Sequence, residues 1–354
     1  MTTGRQLRTP TTPCGRPRLL AHTASVASLL ALASAGAPPG VLAAAGALAG
    51  GTIPQLGALS AARWSALLRD GREALPTAFA LESLANGACY LTGPALVAAA
   101  GAGGDPAYGM VPATALVAGG GPALAAQRRT APAPAAAAER RDAGRSLLRA
   151  GFAAQFGVNL ALGLYFGAMQ VSVTAFAVQH GEPGAAAPLH AVSNCAGLPA
   201  GWLYGLRRWH GSSDAQLAVI TACSVVACVP LLIVGTPAGM GIALTVTGLA
   251  VPPVLVLSSV ITSASVHPAA LTRAFTWLNS ASAAGSAGAA APGRPVRRRR
   301  VGRCGGAGSA GAAAPAGSAV DAYGAHGGFA VGAAATSAMA VLATGRLSGA
   351  RRRT

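Results

Sequence analysis

The sequence predicts an all-α membrane protein, a polytopic bundle of about ten transmembrane helices, and three observations predict it. The chain of 354 residues is 52% hydrophobic and only 10% charged, with a mean hydropathy of +0.49. A soluble domain carries about a quarter charged residues, so most of this surface is not built for water. Apolar stretches of roughly 20 residues, the length that spans a bilayer, recur along the whole chain. Finally, all 26 basic residues are arginine, and gaps that carry arginine alternate with gaps that carry none. Such alternation is the mark of basic loops retained on the cytoplasmic side.

Taken in order, the spans are expected at about 19–37, 39–59, 75–100, 107–127, 150–178, 186–206, 215–235, 238–264, 270–291 and 322–345. Pro38-Pro39-Gly40 separates the first two, and a basic loop from Arg63 to Arg72 follows the second. A short Gly- and Pro-containing turn around Asp105 closes the third. The longest linker, 128–149, is rich in Pro and Ala and holds six arginines. Gly181-Glu-Pro-Gly, Arg207-Arg208, Gly235-Thr-Pro, the stretch from His267 to Arg273 and a tail ending Arg351-Arg-Arg-Thr354 divide the rest. Counted by sides, twenty arginines fall on one face and both termini are expected in the cytoplasm.

The remaining six arginines, Arg294 to Arg303, stand on the opposite face. They are flanked by a nine-residue stretch, Ala284 to Pro292, that recurs letter for letter at Ala307 to Pro315. A local duplication or frame slip explains the run as a break in the charge pattern; a basic patch for lipid headgroups is the functional alternative. Arg16-Pro-Arg18 before an apolar run and Ala33-Ser-Ala-Gly-Ala37 also allow a cleaved signal peptide. The net charge of +17 does not read as nucleic-acid binding, because the arginines cap apolar segments and form no continuous basic face. The absence of lysine and the excess of Ala and Gly read as GC-rich coding. The six cysteines show no CxxC or Cys/His spacing, so no metal and no disulfide framework is implied.

Glu82 is the acidic residue placed inside a span, and a carboxylate there should face a cavity or a partner. Glu82, Asn86 and Tyr90 follow at i, i+4 and i+8, on one helical face. An acid, an amide and a phenol together suit proton coupling or substrate hydrogen bonding. A plainer role is an ion pair with Arg69 or Arg72. After the linker, Gln155, Asn159 and Gln170 punctuate the next span, and His190 and Asn194 the one after. Asn159 and Gln170 suit either a midplane cavity or simple interhelical hydrogen bonds; Gln155, near the helix start, suits the latter.

Several stretches carry a family resemblance: Gly46 to Pro54 (GALAGGTIP) running on to Ala61-Ala-Arg-Trp64, Leu75 to Glu82 (LPTAFALE), Leu203 to Trp209 (LYGLRRW), Leu271 to Trp277 (LTRAFTW) and Val320 to Gly328 (VDAYGAHGG). In order and spacing they resemble the major facilitator superfamily, in its bacterial drug- or sugar-efflux branch, over most of 16–292 and again over 317–345. Members have twelve helices in two halves of six joined by a long cytoplasmic loop. The resemblance therefore implies an incomplete N-terminal half of four spans at 1–127, the linker at 128–149, and a C-terminal half of six spans at 150–354 with an Arg-rich insert at 293–316. The first two family helices would be missing. The family's Gly-x-x-x-Asp-Arg-x-Gly-Arg-Arg loop signature is degenerate here: Arg8 stands in the Asp position, and Gly15-Arg-Pro-Arg18 keeps its basic end. Gly205, Arg207 and Arg208 keep only the basic part of the second copy. Gly93-Pro94 matches the exporters' helix-bending motif, with Cys89, Ala98 and Ala99 where glycines are usual. Trp277 and Asn279 would line the cavity from the family's eleventh helix.

The function these readings imply is secondary active export of a small drug- or sugar-like molecule by proton antiport, in the bacterial cytoplasmic membrane. Its partners would be the lipid bilayer, the substrate and protons, with no cofactor, no nucleic acid and no obligate protein partner. A P-loop, HExxH and Gly-x-Ser-x-Gly are all absent from the sequence, which speaks against ATP binding and against an enzyme. Two alternatives stay open: a degraded or truncated copy that does not transport, and a membrane subunit of a partner-driven complex.

Overall fold

The computed structural model describes residues 15–52, 56–101, 110–127, 143–207, 209, 211–290 and 315–351, and every regular element among them is helical. In chain order these are α1 (Gly15–Ser34), α2 (Pro39–Gly51), α3 (Leu56–Leu67), α4 (Leu75–Gly101), α5 (Met110–Ala126), a single turn α6 (143–146), α7 (Ala150–Gln179), α8 (Ala186–Leu206), α9 (Ser213–Cys228), α10 (Pro237–Ser265), α11 (Leu271–Ala290) and α12 (Pro315–Arg351). Local chemistry sets several starts. Ser212 caps α9 by accepting from the Ala215 amide, and Thr236 caps α10 by accepting from Gly239. Pro237 and Pro39 occupy first-turn positions, where the missing N–H costs nothing.

Five stretches among the described residues are long and apolar enough to cross a membrane: Gly40–Leu67, Ala150–Gln179, Ser213–Leu232, Pro237–Ser265 and Ala316–Gly349. The expected span at 39–59 falls almost wholly within the first of these, which carries α2 and α3. Helices α4, α8 and α11 form where spans are expected, but Glu82 and Asn86, His190 and Asn194, and Arg273 and Asn279 dilute their apolar content. The segment expected as an insert ends inside α12: Ala316 is fully buried against Ala168 and Ala289. The Arg8 signature, the arginine run at 294–303 and most of the linker lie outside the described residues.

The chain divides into two units, Met1–Leu56 with Thr92–Ala131, and Gly57–Leu91 with Pro132–Thr354. In the first, α1 packs on α2 and α5, and His22 Nδ1 lies 3.2 Å from the Ala49 carbonyl. In the second, α7 packs along α11 and α12, α10 along α8 and α9, and α12 on α9. The residues 57–91, which the sequence groups with the first half, belong to this second unit.

Small residues make its closest contacts. A Cβ added at Gly163 would stand 1.9 Å from the Ser282 carbonyl oxygen, one at Gly167 2.4 Å from that of Ser286, and one at Gly285 2.2 Å from that of Leu160. The backbones of α7 and α11 therefore touch, as small residues allow in membrane bundles. At the start of α7, Arg346 of α12 donates to the Gly151 carbonyl and, through Nε, to Asp214 Oδ1 of α9 at 3.0 Å. Its side chain is only 9% exposed. Between α8 and α9, Tyr204 stacks on Trp209 at 5.0 Å and donates to Gln216 Oε1 at 2.5 Å, while the Arg207 guanidinium sits 4.7 Å over the Trp209 ring.

Candidate functional site

Within the second unit a cleft of about 120 Å³ opens between α3, α4, α7, α10 and α11. Phe79, Glu82, Ser83 and Asn86 reach it from α4; their spacing puts them on one face of the helix. Asn159 reaches it from α7, Leu255, Ser258 and Ser259 from α10, and Phe275, Leu278 and Asn279 from α11. Gly57 and Ala61 of α3 complete the wall, with Asn279 Nδ2 3.7 Å from where a Gly57 Cβ would be. None of the lining residues is basic.

Glu82 is half-buried, and the Ser60 hydroxyl of α3 hydrogen-bonds its carboxylate. Its Oε2 is buried and has no partner among the described residues. Among the described residues no ion pair joins Glu82 to Arg69 or Arg72, the partners the sequence allows. Beside it runs a polar network that crosses from α7 to α10. Gln155 Nε2 donates to Ser258 Oγ at 2.5 Å, and Asn159 Nδ2 donates to the same oxygen at 2.8 Å and to the Gln155 carbonyl at 2.9 Å. Two donors occupy both lone pairs of the Ser258 hydroxyl, which keeps its own proton to give. Gln155 and Asn159 are buried at 1% and 7% exposure, and Gln155 Oε1 is left without a partner.

Of the residues singled out from sequence, Glu82, Asn86, Asn159 and Asn279 meet in this cleft. The others do not. Tyr90, one turn beyond Asn86, is 70% exposed, and Trp277 is 49% exposed with its ring edge on Phe156 at 6.4 Å. Gln170 is exposed on α7, its carbonyl accepting from the Thr174 hydroxyl at 2.8 Å. Helix α4 continues through Gly93 and Pro94 to Gly101, and among the described residues nothing lies within 4 Å of a Gly93 Cβ. Gln155, expected only as an interhelical tie, makes one and also fixes Asn159.

Sequence reasoning missed Ser258 and Ser259. The signal was present, two adjacent hydroxyls inside an otherwise apolar helix, but serines in such helices usually bond back to their own turn. The aromatic pair Phe79 and Phe275, whose ring centres are 6.0 Å apart, carries no sequence signal beyond apolarity, and the lone hydroxyl of Ser83 carries none of its own. No family model, no curated protein and no solved structure matches the chain.

Proposed function

We propose that the chain is a secondary transporter of the major facilitator type, embedded in the bacterial cytoplasmic membrane with both termini inside. In this reading it exports a small drug- or sugar-like molecule by proton antiport. The observation that carries the reading is the cleft. Helices from before the linker (α3 and α4) and after it (α7, α10 and α11) converge on one carboxylate, three amides and several hydroxyls, with no basic group. Such a wall favours a neutral or cationic substrate over an anionic one.

Glu82 is the coupling residue. A bare carboxylate among apolar helices costs a few kcal/mol, so it holds either a proton or the substrate's donors. Substrate leaves as a proton arrives, and the site is never left empty and charged. Asn86, Asn159 and Asn279 bind the substrate's polar groups, with Ser258 and Ser259 as further donors. The cycle is alternating access of the ten-span bundle, as in transporters whose sites lie near the midplane.

The test is efflux of a panel of neutral and cationic dyes and antibiotics from cells expressing the chain, beside Glu82→Gln at equal membrane abundance. Export that requires a proton gradient and is abolished by Glu82→Gln supports antiport. No export by the parent chain, with the protein present in the membrane, leaves the non-transporting copy as the reading.

A further inference from the structure

The far end of α7 ties three stretches of the second unit together. Gln179, its last residue, enters a break in α12 at Gly324, where φ is 69° and ψ −165°. A Cβ at Gly324 would stand 2.7 Å from Gln179 Nε2, and the positive φ itself favours glycine there. The Gln179 Oε1 then accepts from the Ala325 amide at 3.4 Å. The next residue, His180, sets Nδ1 2.9 Å from the Phe176 carbonyl and Nε2 2.8 Å from the Gly235 carbonyl. Gly235 lies on the turn that leads into α10. The preceding carbonyl on that turn, Val234, faces Nε2 of His326 of α12 at 3.1 Å.

The two histidines differ in what they require. His326 has one carbonyl to satisfy, and a neutral ring does so with its single N–H. His180 has two. Carbonyl oxygens only accept, and a neutral imidazole carries one N–H, so only the imidazolium donates to both. A neutral His180 leaves a ring lone pair pointed at an oxygen less than 3 Å away. The end of a long helix also favours a cation.

We propose that His180 is a proton-binding site, and that its charged form closes a clasp between α7, the turn before α10, and α12. The ring is exposed, so it exchanges protons with the surrounding water directly. Its own hydrogen bonds raise its pKa, first that to Phe176, then that to Gly235, with Glu182 nearby adding attraction and desolvation opposing. The charged group that acts on it is Glu182 on its own turn; the titratable residues of the neighbouring part of α12 are Asp321, Tyr323 and His326, the last bonded to the Val234 carbonyl. Residues 233–236 of the turn hold nothing titratable. Because the closed form has the higher pKa, closure is complete below the ordinary histidine value of about 6.5. It is lost as the pH rises past the raised closed-state value.

The test is amide hydrogen exchange of the full chain in lipid nanodiscs, from about pH 5 to pH 9 to bracket histidine titration, corrected for intrinsic exchange. Protection over 233–239 and 324–329 should fall as the pH rises. The fall should equal the ratio of His180 acid constants in the open and closed forms, read by NMR titration. His180→Gln should be flat at the unprotected level, and His180→Arg, a permanent donor, flat at the protected level. His326→Gln should lower protection throughout and keep the step. No step in the parent chain overturns the proposal. So does a step that survives His180→Gln, and one that Glu182→Gln abolishes while His180→Gln leaves it would assign the titration to Glu182. The readout is protection, so it stands apart from whether the chain transports anything.

Discussion

The contact between α7 and α11 makes a prediction whose sign reverses within one turn of helix. Gly285 and Gly288 both lie on α11, three residues apart. A Cβ at Gly285 meets the Leu160 carbonyl at 2.2 Å and the Leu164 amide nitrogen at 2.8 Å. Ordinary contact begins near 3.4 Å, a shortfall of about 1.2 Å. Both obstacles are backbone, so no rotamer change relieves them, and the helices must part. Opening a packed interface by even 0.5 to 1 Å forfeits a quarter to a half of its dispersion attraction, and overpacking of this kind costs about 1–3 kcal/mol. Among the described residues a Cβ at Gly288 meets nothing within 4 Å, and there alanine gains about 0.8–1 kcal/mol over glycine by helix propensity. In mixed micelles titrated with SDS, Gly285→Ala should therefore unfold at lower detergent fraction than the parent and Gly288→Ala at higher. Gly163→Ala, 1.9 Å from the Ser282 carbonyl, should behave like Gly285→Ala. If Gly285→Ala is as stable as Gly288→Ala, the two backbones do not touch as described and the seam is wrong.

Two further predictions follow from the polar contacts. Ser258→Ala removes the shared acceptor of Gln155 and Asn159; with interhelical hydrogen bonds in bilayers worth about 0.6 kcal/mol each and seldom above 1.7, the same titration should show a loss of about 1–2 kcal/mol, and no loss would mean the network is not formed. Arg346→Gln should cost about 1–3 kcal/mol, because the Asp214 carboxylate and the Gly151 carbonyl lose a nearly buried partner. Added to Asp214→Asn the losses should be less than additive, whereas strict additivity would show that the pair does not interact.

The helical class was legible from the sequence, because it rests on run lengths of apolar residues that no tertiary contact alters. The positions of α7, α9 and α10 were legible too, since Pro, Gly, Ser and Thr at their ends act locally. What could not be read was which small residues touch. Gly93 and Gly285 both stand inside apolar helices, yet among the described residues a Cβ meets nothing at the first and a backbone carbonyl at the second. The same holds for polar residues. Period-3.6 spacing puts Tyr90 on the face of Glu82 and Asn86, but spacing does not say how far along that face a neighbour reaches, and Tyr90 is exposed. Ser258 was overlooked for the converse reason, since its role depends on two amides about 100 residues away in sequence.

Helix α7 joins these features, and the kind of contact changes along it. Gly151, at its start, takes the Arg346 donor; Gln155 and Asn159 follow with hydrogen bonds to α10; Gly163 and Gly167 come next with backbone contact to α11; Gln179 and His180 close its end. A seam of backbone carbonyls seated on glycines resists sliding, because a shift of one residue sets a Cβ where only a hydrogen fits. A hydrogen bond from an amide to a hydroxyl yields more easily, since both groups can rotate to other partners. Movement of α7 against α10 therefore costs less than movement of α7 against α11. Asn159 and Ser258 of the cleft sit on the first of these boundaries. Rearrangement driven by a ligand there would separate α7 and α11, moving as one, from α10, with Ser258 the first contact exchanged.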